Sequence, residues 1–130
     1  MPTARRSIVP PSREARQRRR AFVAWLKERF NRCQSCRRRF RSHVLDFAHI
    51  QSDGKDEDIT VIVVNGSTER LLREIALCGL LCSNCHREET FEGRAPTRSR
   101  RERKAQWTAE ELAGLYDEWG QGYTATEEAA

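Results

Sequence analysis

The chain has 130 residues, of which 38% are hydrophobic and 33% are charged. This length allows one domain, and the low apolar fraction allows only a small core that needs a bound metal or disulfides for stability. No run approaches the roughly 18 apolar residues of a membrane span, so we expect no membrane-spanning helix. The basic N-terminal residues are followed by no apolar segment, so we expect no secretory leader and predict a cytoplasmic protein.

The formal net charge of +5 is distributed unevenly along the chain. Residues 1–41 carry a net charge of +12, mostly from arginine, whereas residues 105–130 carry −6. Arginine forms bidentate contacts with phosphate, and a basic block of this kind is typical of nucleic-acid-binding proteins. We therefore expect DNA as a partner, and the alternative is a solvated arm that binds nonspecifically.

The first predicted elements are a disordered basic arm over residues 1–11 and a helix from the cap residue Ser12 to about Asn31. One apolar stripe on this helix has the spacing of a buried helical face and consists of Phe22, Trp25, Leu26 and Phe30. A strand is predicted from His43 to Ile50. Its alternation would place Leu45, Phe47 and His49 on one side and Val44, Asp46, Ala48 and Ile50 on the other.

A polar loop leads to a second predicted strand, Ile59–Val64, whose residues are all β-branched. Ser67 predicts the start of a helix over Thr68–Leu77, after which Cys78–Leu81 connects to a short helix from near Asn84 to about Phe91. Residues 93–106 are predicted to be a basic linker. Residues 107–130 are predicted to be an acidic helical tail, which opens with a capping box and has Leu112, Leu115, Tyr116 and Trp119 on one face.

Four of the five cysteines form two pairs, Cys33-x2-Cys36 and Cys82-x2-Cys85, which are 45 residues apart. Two such pairs supply the four thiolates that a structural zinc ion prefers. In a reducing compartment paired cysteines bind metal more often than they form disulfides. An iron–sulfur cluster or a redox role is the alternative. The fifth cysteine, Cys78, is expected to pack in the core.

The segment Cys82–His86 also fits the C-x-x-C-H pattern of covalent haem attachment. That attachment takes place outside the cytoplasm, so the predicted compartment disfavours haem. If four sulfur atoms satisfy a zinc ion, His49 and His86 remain for another task. His43 lies beside the basic run and is expected at the surface.

The order of these residues resembles the HNH endonuclease family, in the branch with two zinc knuckles. The matching segments cover about residues 33–91 and are Cys33-x2-Cys36, Leu45–His49, Leu72–Cys78 and Leu81–Arg87. The resemblance implies an α+β fold with a small ββα-metal (HNH or His-Me finger) core, a four-cysteine zinc that holds it together, and flanking N- and C-terminal helices. Residues 12–92 would form this nuclease domain, including the N-terminal basic helix.

The same resemblance implies a metal-dependent DNA endonuclease that hydrolyses phosphodiester bonds. His49 would be the general base, and His86 would ligate a divalent ion such as Mg²⁺ or Mn²⁺. The family commonly has Asp or His as a second metal ligand just before the base, where this chain has Ala48, so Asp46 would substitute. The arginines expected to contact DNA are Arg37, Arg38, Arg39, Arg41 and Arg87.

Two departures from the family pattern support a second interpretation. Ala48 cannot ligate a metal, and the middle Asn of the family, which orients the base, has no counterpart at Leu77. The alternative is therefore a zinc-stabilised DNA-binding or adaptor protein on the same scaffold, with weak or no cleavage. Family members of this size are often phage-encoded, and some assist DNA packaging. The candidate protein partner is thus a phage terminase, or another protein, that contacts the acidic C-terminal helix.

Overall fold

The computed structural model describes residues 12–50, 58–91 and 105–123, which form an α+β fold with five α-helices and one two-stranded sheet. In chain order the elements are α1 (Arg13–Arg29), β1 (Leu45–His49), α2 (Ile59–Asn65), α3 (Thr68–Ile75), β2 (Cys78–Cys82), α4 (Ser83–Phe91) and α5 (Ala109–Gly122). None of the helices in these ranges has the length and apolarity to cross a bilayer. The predicted arm at 1–11 and the predicted linker up to residue 104 lie outside the described residues.

Local capping signals determine where three helices begin. The Ser12 and Ser67 hydroxyl oxygens each accept a hydrogen bond from the backbone N–H three residues later, at the starts of α1 and α3. At the start of α5, Thr108 and Glu111 make both hydrogen bonds of the predicted capping box. These bonds satisfy N–H groups that have no partner inside the helix, and the three predicted starts are confirmed.

The prediction of a strand over Ile59–Val64 is wrong, because this segment forms helix α2. Its buried residues are Ile59, Ile62 and Val63, whose spacing puts them on one face of a helix. β-branched residues favour strands only weakly, and the burial of this face against the core outweighs that preference.

The second strand of the sheet is instead Cys78–Cys82, which had been predicted to be a connection. It pairs antiparallel with β1, so that Leu45 lies opposite Cys82 and His49 lies opposite Cys78. Every residue of β2 is buried, and such a strand lacks the alternation by which strands are recognised in sequences. β1 is shorter than predicted because a 3₁₀ turn occupies Ser42–Val44. The adjacent residues Phe47 and Ala48 are both buried, so both faces of β1 are covered at this point.

Helices α1 and α5 share the core of the protein. The Phe22 ring, fully buried on α1, lies 5.0 Å from the ring of Tyr116 and 5.4 Å from that of Trp119 on α5. Leu112 is also fully buried, and Trp107 packs edge-on against Phe47 of β1. The predicted apolar faces of both helices are confirmed, and α5 contributes to the same core as the sheet.

Candidate functional site

The four paired cysteines meet where the turn after α1 reaches the junction of β2 and α4. The sulfur atoms of Cys33, Cys36, Cys82 and Cys85 all lie within 4.8 Å of one another. A tetrahedral zinc ion with Zn–S bonds of about 2.3 Å places its sulfur ligands roughly 3.8 Å apart. The cluster fits such an ion after a small contraction, and it could hold a structural metal ion such as zinc. Within the described ranges it is the only group of three or more residues placed to do so.

Backbone hydrogen bonds attach the first cysteine pair to the sheet. The Gln34 N–H donates to the Leu80 carbonyl of β2 over 2.9 Å. The turn closes through the N–H of Arg37, which donates to the Cys33 carbonyl and has a positive φ of 67°. Backbone hydrogen bonds therefore hold the turn of the first pair against β2, the strand that carries Cys82 at its end.

The thiols differ in how readily they ionise. Burial opposes ionisation of Cys33, but the backbone N–H groups of Cys82, Cys36 and Ser35 together lower its pKa to about 7. Burial and the neighbouring Cys82 thiol raise the pKa of Cys85 to about 12. Loss of hydration also raises the pKa of Cys36. Metal binding at neutral pH must therefore release protons from Cys36 and Cys85.

Cys78 and His43 were expected to lie outside the functional site, and both do. Cys78 is fully buried, and its thiol donates a hydrogen bond to the Glu74 carbonyl over 3.4 Å. His43 is exposed beside β1 and lines no described cavity. Both predictions are confirmed.

A cavity of about 490 Å³ brings together the other predicted site residues. Asp46 and His49 enter it from β1, and His86 enters it from α4. Its other walls come from α1 and from α2 with the preceding Asp58. The α2 segment, predicted to be the second strand, is thus a wall of the site.

His49 lies in the interior part of this site and is paired with Glu74 of α3. The His49 Nε2 atom lies 2.7 Å from Glu74 Oε2, and the side chains are 10% and 7% exposed. An ionised carboxylate accepts the Nε2–H bond, and the basic nitrogen of that tautomer is Nδ1. Sequence reasoning assigned Glu74 no role. The available signal was an acidic residue on the apolar face of α3, beside Leu71 and Ile75.

Asp46 and His86 form a second pair, which is open to solvent. Asp46 Oδ2 lies 3.0 Å from His86 Nδ1, and the side chains are 42% and 38% exposed. A carboxylate oxygen and an imidazole nitrogen are ligands that divalent ions accept, and an ion could reach this pair from solvent. Ala48 is buried and does not line the cavity.

Helix α1 places two cations, Arg20 and Lys27, at the cavity. The Lys27 ammonium lies 5.1 Å from the centre of the Phe47 ring. Burial lowers the pKa of Lys27, while the carboxylate of Asp46 opposes that shift. Neither cation was predicted as a site residue. The five arginines predicted to contact DNA are all exposed, and none lines this cavity; they are Arg37, Arg38, Arg39, Arg41 and Arg87.

Comparison of the chain with models of known families, with curated proteins and with solved structures found no significant match.

Proposed function

We propose that the protein is a metal-dependent DNA endonuclease of the HNH type. The observation that carries this proposal is a cavity lined by His49, Asp46 and His86, in which His49 is paired with the buried Glu74 and His86 is paired with Asp46 in the open. Hydrolysis of a phosphodiester needs a base to activate water and a cation to neutralise charge on the phosphate. The buried His49–Glu74 pair suits the role of the base, and the open Asp46–His86 pair suits the binding of the cation.

His49 is the general base in this proposal. With its Nε2–H bonded to Glu74, the ring has a fixed orientation and takes the proton of a water molecule at Nδ1. The Glu74 carboxylate then stabilises the positive charge that His49 acquires. Glu74 thus does the orienting task that the resemblance gives to the family's missing Asn.

Asp46 and His86 hold the divalent ion in this proposal, with water and phosphate oxygens as its other ligands. Such a small protein ligand set is typical of Mg²⁺ sites that act on phosphates. When bound, the ion would neutralise charge on the phosphate and polarise it. Ala48 does not line the cavity, so the lack of a metal-binding side chain at this position takes no ligand away from the Asp46–His86 pair.

The strand–strand–helix arrangement of β1, β2 and α4 supports the HNH interpretation. The strands pair antiparallel and α4 follows β2 directly, with Ser83 of α4 donating a hydrogen bond to the Val44 carbonyl beside β1. In this proposal a zinc ion at the four cysteines keeps α4, and with it His86, against the sheet.

The experiment is a plasmid-nicking assay on zinc-loaded protein with added Mg²⁺, Mn²⁺ or Ni²⁺. His49→Ala is expected to lower the nicking rate by about 10²-fold or more, with zinc content and DNA binding unchanged. His43→Ala is the matched control, because it removes an exposed histidine outside the cavity and should cleave normally. Equal cleavage by His49→Ala would remove His49 from the mechanism.

The second candidate function is a zinc-stabilised DNA-binding or adaptor protein. The observation that favours it is that the solvent-open Asp46–His86 pair is not part of any group of three or more metal ligands among the described residues, so an ion there would have few protein ligands. Tight DNA binding without cleavage in any of the three ions would select this function over the nuclease.

A further inference from the structure

Helix α1 contributes a row of side chains to the cavity from outside the region that resembles the HNH family. Arg20, Val23 and Lys27 are spaced by three and four residues, so they lie on one helical face and line the cavity together. Arg20 and Lys27 are the only Arg or Lys side chains among its described lining residues. The positive charge of lysine and arginine at this site therefore comes from α1.

The position of Lys27 is restricted by its surroundings. Its side chain is half-buried, and the ammonium lies over the ring of Phe47. Phe47 directly follows Asp46 in β1. A cation held against an aromatic face and shielded from water interacts more strongly with an approaching anion than a fully solvated lysine does. Lys27, Phe47 and Asp46 all line the cavity, so this cation lies near the strand residue proposed to bind the ion.

Arg20 differs from Lys27 in distance and in geometry. The two residues are seven positions apart, which corresponds to about 10.5 Å along a helix axis, so their backbone positions lie two turns apart. Arg20 is exposed at the cavity, and its guanidinium can bind a phosphate through two hydrogen bonds. The row therefore offers a phosphate backbone two cationic contacts from one helix.

The charge balance of the cavity also supports binding of a nucleic-acid strand. Its described lining includes the carboxylates Asp46 and Asp58, which repel an incoming phosphate. Without the two α1 cations the cavity would oppose binding of a phosphate until a divalent ion arrived. With them, the backbone of a nucleic-acid strand can approach the Asp46–His86 pair directly.

We propose that α1 forms the phosphate-binding subsite of the nuclease, in which Lys27 contacts the phosphate that is cleaved and Arg20 contacts a neighbouring phosphate of the same strand. This inference rests on the proposed nuclease function. It assigns substrate binding to a helix outside the ββα unit, and it gives the exposed arginines near the cysteine pairs a separate, peripheral contact with DNA.

The first test compares single-turnover nicking at saturating protein. Lys27→Met keeps the side-chain length and the contact with Phe47 but removes the charge, and it should lower the rate by about 10²-fold. Lys27→Arg, which keeps the charge, should retain activity within about tenfold of the wild-type protein. Arg73→Gln removes an exposed cation of α3 outside the cavity and should not change the rate. A wild-type rate for Lys27→Met would overturn the assignment of Lys27.

The second test measures binding of a fluorescent duplex without added divalent ion, so it does not depend on cleavage. The slope of log affinity against log salt should decrease in magnitude by about 0.9 in Lys27→Met and in Arg20→Gln, and should not change in Arg73→Gln. Slopes equal to that of the wild-type protein would overturn the subsite. If the wild-type protein cleaves in no ion, the nuclease proposal fails, while this binding result still decides whether α1 contacts phosphates.

Discussion

The hydrogen bond between Glu74 and His49 leads to a quantitative prediction for the substitution Glu74→Gln. Glutamine keeps an acceptor oxygen and nearly the same volume, so the main change is the loss of one negative charge. His49 Nε2 and Glu74 Oε2 are 2.7 Å apart, and the side chains of His49 and Glu74 are only 10% and 7% exposed. Solvent therefore screens their interaction little. Hydrogen bonds to charged groups are worth about 1.5–3 kcal/mol.

This energy sets the expected effect on the rate. In the proposed mechanism His49 is charged only after it takes the proton from water, so Glu74 stabilises the transition state more than the ground state. Each 1.36 kcal/mol changes the rate about tenfold, so Glu74→Gln should lower the single-turnover nicking rate by about 10- to 150-fold. DNA affinity should not change, because Glu74 does not line the cavity.

The matched control is Glu69→Gln, which makes the same charge change at an exposed position of α3. Its rate should equal that of the wild-type protein. Thermal melting of both variants separates a catalytic loss from unfolding. A Glu74→Gln protein that melts normally and cleaves at the wild-type rate would refute the argument that this carboxylate acts on His49.

Two further predictions concern stability and metal binding. Leu112→Ala removes a fully buried side chain from α5 and should lower the free energy of unfolding by about 2–5 kcal/mol in urea titrations. The exposed change Glu110→Ala should cost far less, and equal effects would mean that α5 is not part of the core. Apparent zinc affinity, measured by competition with a chelator, should rise with pH. The reason is that the pKa of Cys33 is about 7, whereas burial raises the pKa of Cys36 and raises that of Cys85 to about 12, so both must lose a proton when the metal binds. Just above the pKa of Cys33 the affinity should rise by at least about 100-fold per pH unit, and a rise below about tenfold would contradict the release of protons from both thiols.

Part of the site could be predicted because its signals are local or are carried by residue type. Two C-x2-C pairs indicate a metal site from spacing alone, since few other arrangements use such pairs. His49, His86 and Asp46 were found through the resemblance, and the structure brings all three to one cavity. Glu74 and Lys27 were missed, because their importance depends on partners on other elements, His49 of β1 and Phe47 of β1.

The sequence by itself determined the features that depend on residues within about four positions of one another. These are the caps at Ser12, Ser67 and Thr108, the apolar stripes of α1 and α5, and the two cysteine pairs. Tertiary structure decided that Ile59–Asn65 is a helix, that Cys78–Cys82 pairs with β1, and that α1 faces the histidines. The physical reason is that these outcomes depend on which surfaces are buried together, and that burial free energy is set by contacts between segments far apart in the chain.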